Sequence, residues 1–137
     1  MIGKTVIDSS VIATIFLPED MTTRAIEKLG YEPYVTVDSA VADAAQVAAK
    51  RLASGMDTPD DVKEMLYDAV YFITTLCDLI PSVELINPAF DLAVELNISL
   101  YDALFVAAAV RHRAPLFTAD KALLLAARKA CRVMLLE

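Results

Sequence analysis

Two stretches, Thr5-Val6-Ile7-Asp8-Ser9-Ser10 and Pro115-Leu116-Phe117-Thr118-Ala119-Asp120, decide the fold. Each is a short, continuous apolar run closed by an acid with hydroxyls beside it. Runs this short, apolar on both sides and bounded by turn-forming residues, read as strands buried on both faces. In an open parallel sheet, ligands bind outside the carboxyl ends of the strands. Asp8 and Asp120 therefore face one crevice. Clustered carboxylates repel one another, and a bound cation is the simplest way to neutralise them. All-oxygen ligands suit a hard ion, Mg²⁺ or Mn²⁺, and so metal-assisted chemistry on a phosphate.

Between these stretches the pattern alternates strand and helix. Strands are expected at 5–7, 34–37, 83–86, 116–118 and 133–136. The first helix, 12–17, is capped by Ser9 or Ser10 and stopped by Pro18. A second, 21–29, has Asp20 as its cap and Gly30 past its end. The helix over 40–54 begins at Asp38 or Ser39 and stops at Gly55. Thr58-Pro59-Asp60-Asp61 starts another: a cap, proline at the first position, then acids in the first turn. Its apolar pattern continues to about residue 79. Further helices are expected over 89–96, 100–112 and 119–129. Strands separated by helices make an α/β fold, a parallel sheet of four to five strands covered on both faces. No linker, repeat or low-complexity segment interrupts residues 1–137, so one domain is expected.

Composition narrows the function. The chain of 137 residues carries 12 Lys+Arg against 19 Asp+Glu, a net charge of −7. A general nucleic-acid binder usually has a basic excess, so tight non-specific DNA binding is disfavoured. Hydrophobic residues make up 57% and mean hydropathy is +0.50. No apolar run approaches the roughly 20 residues that span a bilayer, and the start reads as a strand rather than a signal peptide. No membrane role is expected; the apolar surplus fits an oligomer interface or a partner. The two cysteines, Cys77 and Cys131, lack metal-site spacing and suit reduced core positions in a cytoplasmic protein.

Two more acids extend the candidate site. Asp43 lies among small apolar residues on its helix, and Gln46 shares its face by i,i+3 spacing. Asp102 stands in Leu100-Tyr101-Asp102-Ala103-Leu104-Phe105. Alone, the first is an ordinary solvent-facing acid and the second a first-turn acid favoured by the helix dipole. His112, in Arg111-His112-Arg113, reads as a cationic helix end rather than a catalytic group. Lys50-Arg51 and the arginines beside His112 read as solvated helix ends before RNA guides. Met56, Met65, Tyr67, Tyr71 and Phe72 read as core or dimer surface.

Three motifs taken together, Val6-Ile7-Asp8-Ser9-Ser10-Val11-Ile12, Tyr101-Asp102-Ala103-Leu104-Phe105-Val106-Ala107 and Pro115-Leu116-Phe117-Thr118-Ala119-Asp120, resemble the signatures of PIN domains, in the same order. The length resembles that of the single-domain VapC-type toxins. The resemblance implies a three-layer α/β/α fold and an acidic site of Asp8, Asp43, Asp102 and Asp120. It places the metal on Asp8, Asp102 and Asp120, with Thr118, Ser9 and Ser10 orienting carboxylates. It also implies a Mg²⁺- or Mn²⁺-dependent endoribonuclease leaving a 5′-phosphate and a 3′-hydroxyl, a homodimer, and silencing by a small antitoxin protein. The family most often has Glu, then Asn three residues on, where this chain has Asp43 and Gln46. The shorter Asp points to a water-mediated role. Three other readings compete: a catalytically weak or inactive PIN-like interaction module, a phosphatase and a receiver domain. A phosphatase of the haloacid-dehalogenase type wants Asp-x-Asp where Asp8-Ser9-Ser10 stands. A receiver domain wants paired acids near its start and a later strand-end lysine, where this chain has Thr118-Ala119-Asp120.

Overall fold

The structure, a computed structural model, describes residues 4–18 and 33–136; the helix expected over 21–29 lies outside them. Five strands form one parallel sheet: β1 Thr5–Ile7, β2 Tyr34–Val37, β3 Asp78–Ile80, β4 Leu116–Thr118 and β5 Val133–Leu135. Their order is β3-β2-β1-β4-β5. The chain thus builds outward from β1 in one direction through β3, then resumes on the other side of β1 at β4. That reversal leaves a crevice between β1 and β4. β1, β2 and β4 are buried along their whole length, as their unbroken apolar runs require. The edge strands β3 and β5 are more open.

Six α-helices flank the sheet among the described residues: α1 Ser9–Phe16, α2 Ser39–Ala53, α3 Pro59–Tyr71, α4 Ile86–Leu96, α5 Leu100–His112 and α6 Lys121–Ala127. Helices α1, α2 and α3 pack on one another; α4 packs on α5, which lies on β1, β2 and β4. The α/β architecture expected from the sequence is borne out.

Local chemistry explains most boundaries. Thr58 caps α3 by accepting the Asp61 N–H, with Pro59 in the first turn. Gly55, at φ +74°, supplies the left-handed turn after α2. Ser99 caps α5 by accepting the Asp102 N–H. From Ala103 to Ala109 every residue of α5 is buried, so this helix is core on all sides. Among the described residues no single helix is long and apolar enough to cross a membrane.

One stretch departs from the expected boundaries. α3 ends at Tyr71 and passes into a wider π-helical turn, Phe72–Leu76, rather than running on to residue 79. The third strand is Asp78–Ile80, not 83–86; Ser82–Glu84 is a 3₁₀ turn that leads into α4. Alternating Val83 and Leu85 imitate a strand, but Pro81 has no N–H for a ladder and sets the turn instead.

The surface also refines the expected interface. Tyr67 and Tyr71 are exposed, as an interface needs. Phe72 instead turns inward, its ring 5.1 Å from Phe16 and 6.4 Å from Tyr34. Met65 packs on Leu17, Ala48 and Val62. A second exposed apolar stripe, Ile86, Phe90 and Val94, runs along α4 at four-residue spacing.

Candidate metal and active site

The chain reversal between β1 and β4 sets the site. Asp8 leaves the end of β1 and caps α1; Asp120 follows β4 and caps α6 through Oδ1, which accepts the Ala122 and Leu123 N–H groups at 2.9 and 3.2 Å. Asp43 arrives on the second turn of α2 and Asp102 on the first turn of α5. All four carboxylates line one cavity of about 310 Å³ together with Ser9, Ser10, Tyr101 and Phe105. Gln46 is exposed and does not line it.

Asp8 is only 4% exposed and is held by three donors. Ser10 donates to Oδ1 at 2.6 Å and the Val11 N–H to the same oxygen at 3.1 Å. Thr118, itself fully buried, donates to Oδ2 at 2.5 Å. A hydroxyl has one proton, and both hydroxyl protons are spent on Asp8. The 3.2 Å contact between the Ser10 and Thr118 oxygens is therefore left without one. Each hydroxyl accepts a backbone N–H instead, Ala119 to Ser10 at 2.9 Å and Asp120 to Thr118 at 3.1 Å. This lattice sews the end of β4 to the start of α1. Ser9 works separately, donating to Asp43 Oδ2 at 2.5 Å.

Burial dominates the electrostatics of Asp8 and Asp102. Burial raises the Asp8 pKa above the ordinary value; Ser10, Thr118 and Val11 pull it back, and Asp102 adds repulsion. Asp102 is also raised, first by burial and then by the negative charges of Asp120 and Asp43, against the Ser99 contact. Repulsion thus links Asp8 with Asp102, and Asp102 with Asp120 and Asp43, behind burial as the larger cause.

The donor set fits a hard divalent cation. No His or Cys lines the cavity, so the set is all oxygen. Counting lone pairs, Asp8 Oδ1 is fully used, while Oδ2 keeps one; Asp120 Oδ2 and Asp43 Oδ1 take no hydrogen bond among the described residues. Among the described residues no three His, Cys, Asp or Glu side chains are grouped closely enough to hold a metal ion as they stand.

Of the basic residues singled out from the sequence, none lines the cavity. Arg51 donates to Asp57 Oδ2 at 2.5 Å and to the carbonyls of Leu17 and Pro18. It locks the end of α1 and is not free to guide a substrate. Arg111 pairs with Glu84 at 3.2 Å. His112 sits ten residues beyond Asp102 on α5, roughly 15 Å away along the axis. Burial, then Lys4 and Arg111, lower its pKa from the ordinary value, against Asp78. The cysteines are free; burial, with Asp78 nearby, pushes the Cys77 thiol up to about 12.

A family model described as "PIN domain" matches residues 5–129. The chain belongs to the PIN domain family. Ribonuclease VapC3 of Pyrobaculum aerophilum is 29% identical over 121 residues, covering 88% of this chain and 92% of that protein. Among solved structures, PAE2754 from Pyrobaculum aerophilum superposes with a TM-score of 0.72 at 17% identity, over 96% of this chain and 83% of that one. A toxin–antitoxin complex from Klebsiella pneumoniae gives 0.58 at 16% identity, over 88% and 89%. At those identities the two structures share the PIN fold with this chain.

The acids and hydroxyls expected from the sequence are thus brought together. Two cavity residues were not anticipated, Tyr101 and Phe105. Their signal was present: they stand four residues apart on α5, on one face, with Asp102 between them.

Proposed function

We propose that this PIN protein is an endoribonuclease of the VapC type, the toxin half of a toxin–antitoxin pair, using Mg²⁺ or Mn²⁺ held by Asp8, Asp102 and Asp120. The observation that carries the reading is the convergence of four carboxylates on one cavity at the β1/β4 reversal. The similarity to a protein named Ribonuclease VapC3 supports RNA as the substrate. The fold shared with a toxin–antitoxin complex supports an antitoxin partner.

When bound, the cation polarises the scissile phosphate and makes water nucleophilic at neutral pH. The chain's own residues do the rest. Ser10, Thr118 and the Val11 N–H fix Asp8 so that only Oδ2 has a lone pair to offer. Ser9 holds Asp43 by Oδ2 and leaves Oδ1 free to orient the attacking water and accept its proton. In-line attack then leaves a 5′-phosphate and a 3′-hydroxyl.

The protein acts in the cytoplasm as a homodimer, through the exposed apolar residues of α3 and α4. A basic antitoxin segment gains on-rate from the net charge of −7 and displaces the cation with an Arg or Lys in the carboxylate cluster. The test is cleavage of single-stranded RNA with Mg²⁺ or Mn²⁺. Chelation stops it, and Asp102→Asn lowers the rate by roughly a hundredfold or more. Intact RNA with wild-type protein across both metals overturns the enzyme reading in favour of a non-catalytic interaction module.

A further inference from the structure

We infer that Tyr101 is a nucleobase platform that seats the nucleotide beside the scissile phosphate. The inference rests on the ribonuclease reading and adds to it the means by which the site grips its substrate. Among the described residues lining the cavity there is no Lys or Arg. A bound cation answers the phosphate charge at one point only, so the cavity needs another source of affinity for a polyanion. Tyr101 supplies a π-face. Its side chain lines the cavity yet the residue is 66% exposed, whereas Phe105, one turn further along α5, is 2% exposed. The two rings occupy one face of the helix, Phe105 as the floor and Tyr101 as the rim. Asp102 lies between them in sequence, so a base lying on Tyr101 brings its own phosphate toward the carboxylates.

An exposed aromatic ring stacks any base, and removing such a ring typically weakens binding by roughly 5- to 150-fold. Stacking is tolerant of base identity, so Tyr101 sets affinity and register more than sequence choice. The ring, not the hydroxyl, is the working part.

The chain contains no tryptophan. Tyr101→Trp therefore places a single tryptophan on the rim, excited apart from the remaining tyrosines. With Mg²⁺ present, a single-stranded heteropolymeric RNA quenches its emission, while an abasic strand of the same length does not. In cleavage assays Tyr101→Ala raises KM by about tenfold with little change in kcat, and Tyr101→Phe recovers most of the loss. RNA that binds by anisotropy but leaves emission unchanged, or an abasic strand that quenches equally, overturns the platform and leaves the nuclease standing. Emission that responds to a bound protein partner and not to RNA assigns Tyr101 to a protein interface and overturns it too. Absence of both RNA binding and cleavage in the wild type overturns the function proposed above.

Discussion

Thr118→Val is the most discriminating change the site allows. Valine nearly matches threonine in shape, so the fully buried position opens little cavity, and the difference is the hydroxyl. That hydroxyl donates to Asp8 Oδ2 and accepts the Asp120 N–H. A hydrogen bond to a charged group contributes about 1.5–3 kcal/mol and a neutral one about 1 kcal/mol. The expected loss near neutral pH, without divalent cation, is therefore about 3 kcal/mol. The sign of its pH dependence follows from Asp8. Its native pKa lies above the ordinary 3.8, so the native state retains a proton that the unfolded chain has released, and stability falls as pH rises through the native value. The Thr118 contact opposes that rise; deleting it pushes the native pKa higher still. The penalty must then grow with pH, and shrink toward about 1 kcal/mol once Asp8 is protonated. Urea unfolding followed by circular dichroism, across the acid range and up to neutrality, follows the penalty. A penalty below about 0.5 kcal/mol, or one that stays constant across that range, refutes the proton bookkeeping that assigns both hydroxyls to Asp8.

Because Asp8 and Asp102 are both raised, the cation-free protein should lose thermal stability as pH climbs above the ordinary carboxylate range, and Mg²⁺ should restore it most at the neutral end; a flat profile with no Mg²⁺ response counts against a cation site. Asp43→Glu should preserve or raise RNA cleavage while Asp43→Ala lowers it, by roughly a hundredfold if Asp43 takes the water's proton; wild-type rates in Asp43→Ala make it a bystander. Light scattering at micromolar concentration should give a dimer, reduced toward monomer by Phe90→Glu or Tyr67→Glu; a monomeric wild type removes the dimer.

How much of this the sequence disclosed depends on what each element must bury. β1, β2, β4 and α5 coincide with their expected bounds, because the three strands are buried along their whole length and α5 is buried all round from Ala103 to Ala109. The error between residues 72 and 86 has the opposite cause. β3 is an edge strand whose first two residues, Asp78 and Leu79, are exposed, so it has no apolar run to display. The π-helical turn before it keeps the hydrophobic spacing of a helix. The acids at the strand ends were legible because a carboxylate after a buried strand has one place to point. Which hydroxyl serves which acid was not. Ser9 and Ser10 are adjacent in sequence, but on α1 they point about 100° apart, one toward Asp43 and the other toward Asp8.

The all-round burial of α5 has a consequence for how such a protein changes over generations. Seven consecutive residues, Ala103 to Ala109, are sealed in the core, four of them alanines. A one-residue insertion there turns the helix start by about 100° and carries Asp102 out of the cavity. Larger side chains have no room to enter. Drift is thus blocked from Ala103 to Ala109 and left open at the helix ends. There, Tyr101 faces solvent while Asp102, one residue away, lines the cavity with the other acids. Neighbouring codons come under opposite constraint, and the substrate grip can be retuned at residue 101 without reopening the core or moving the acid.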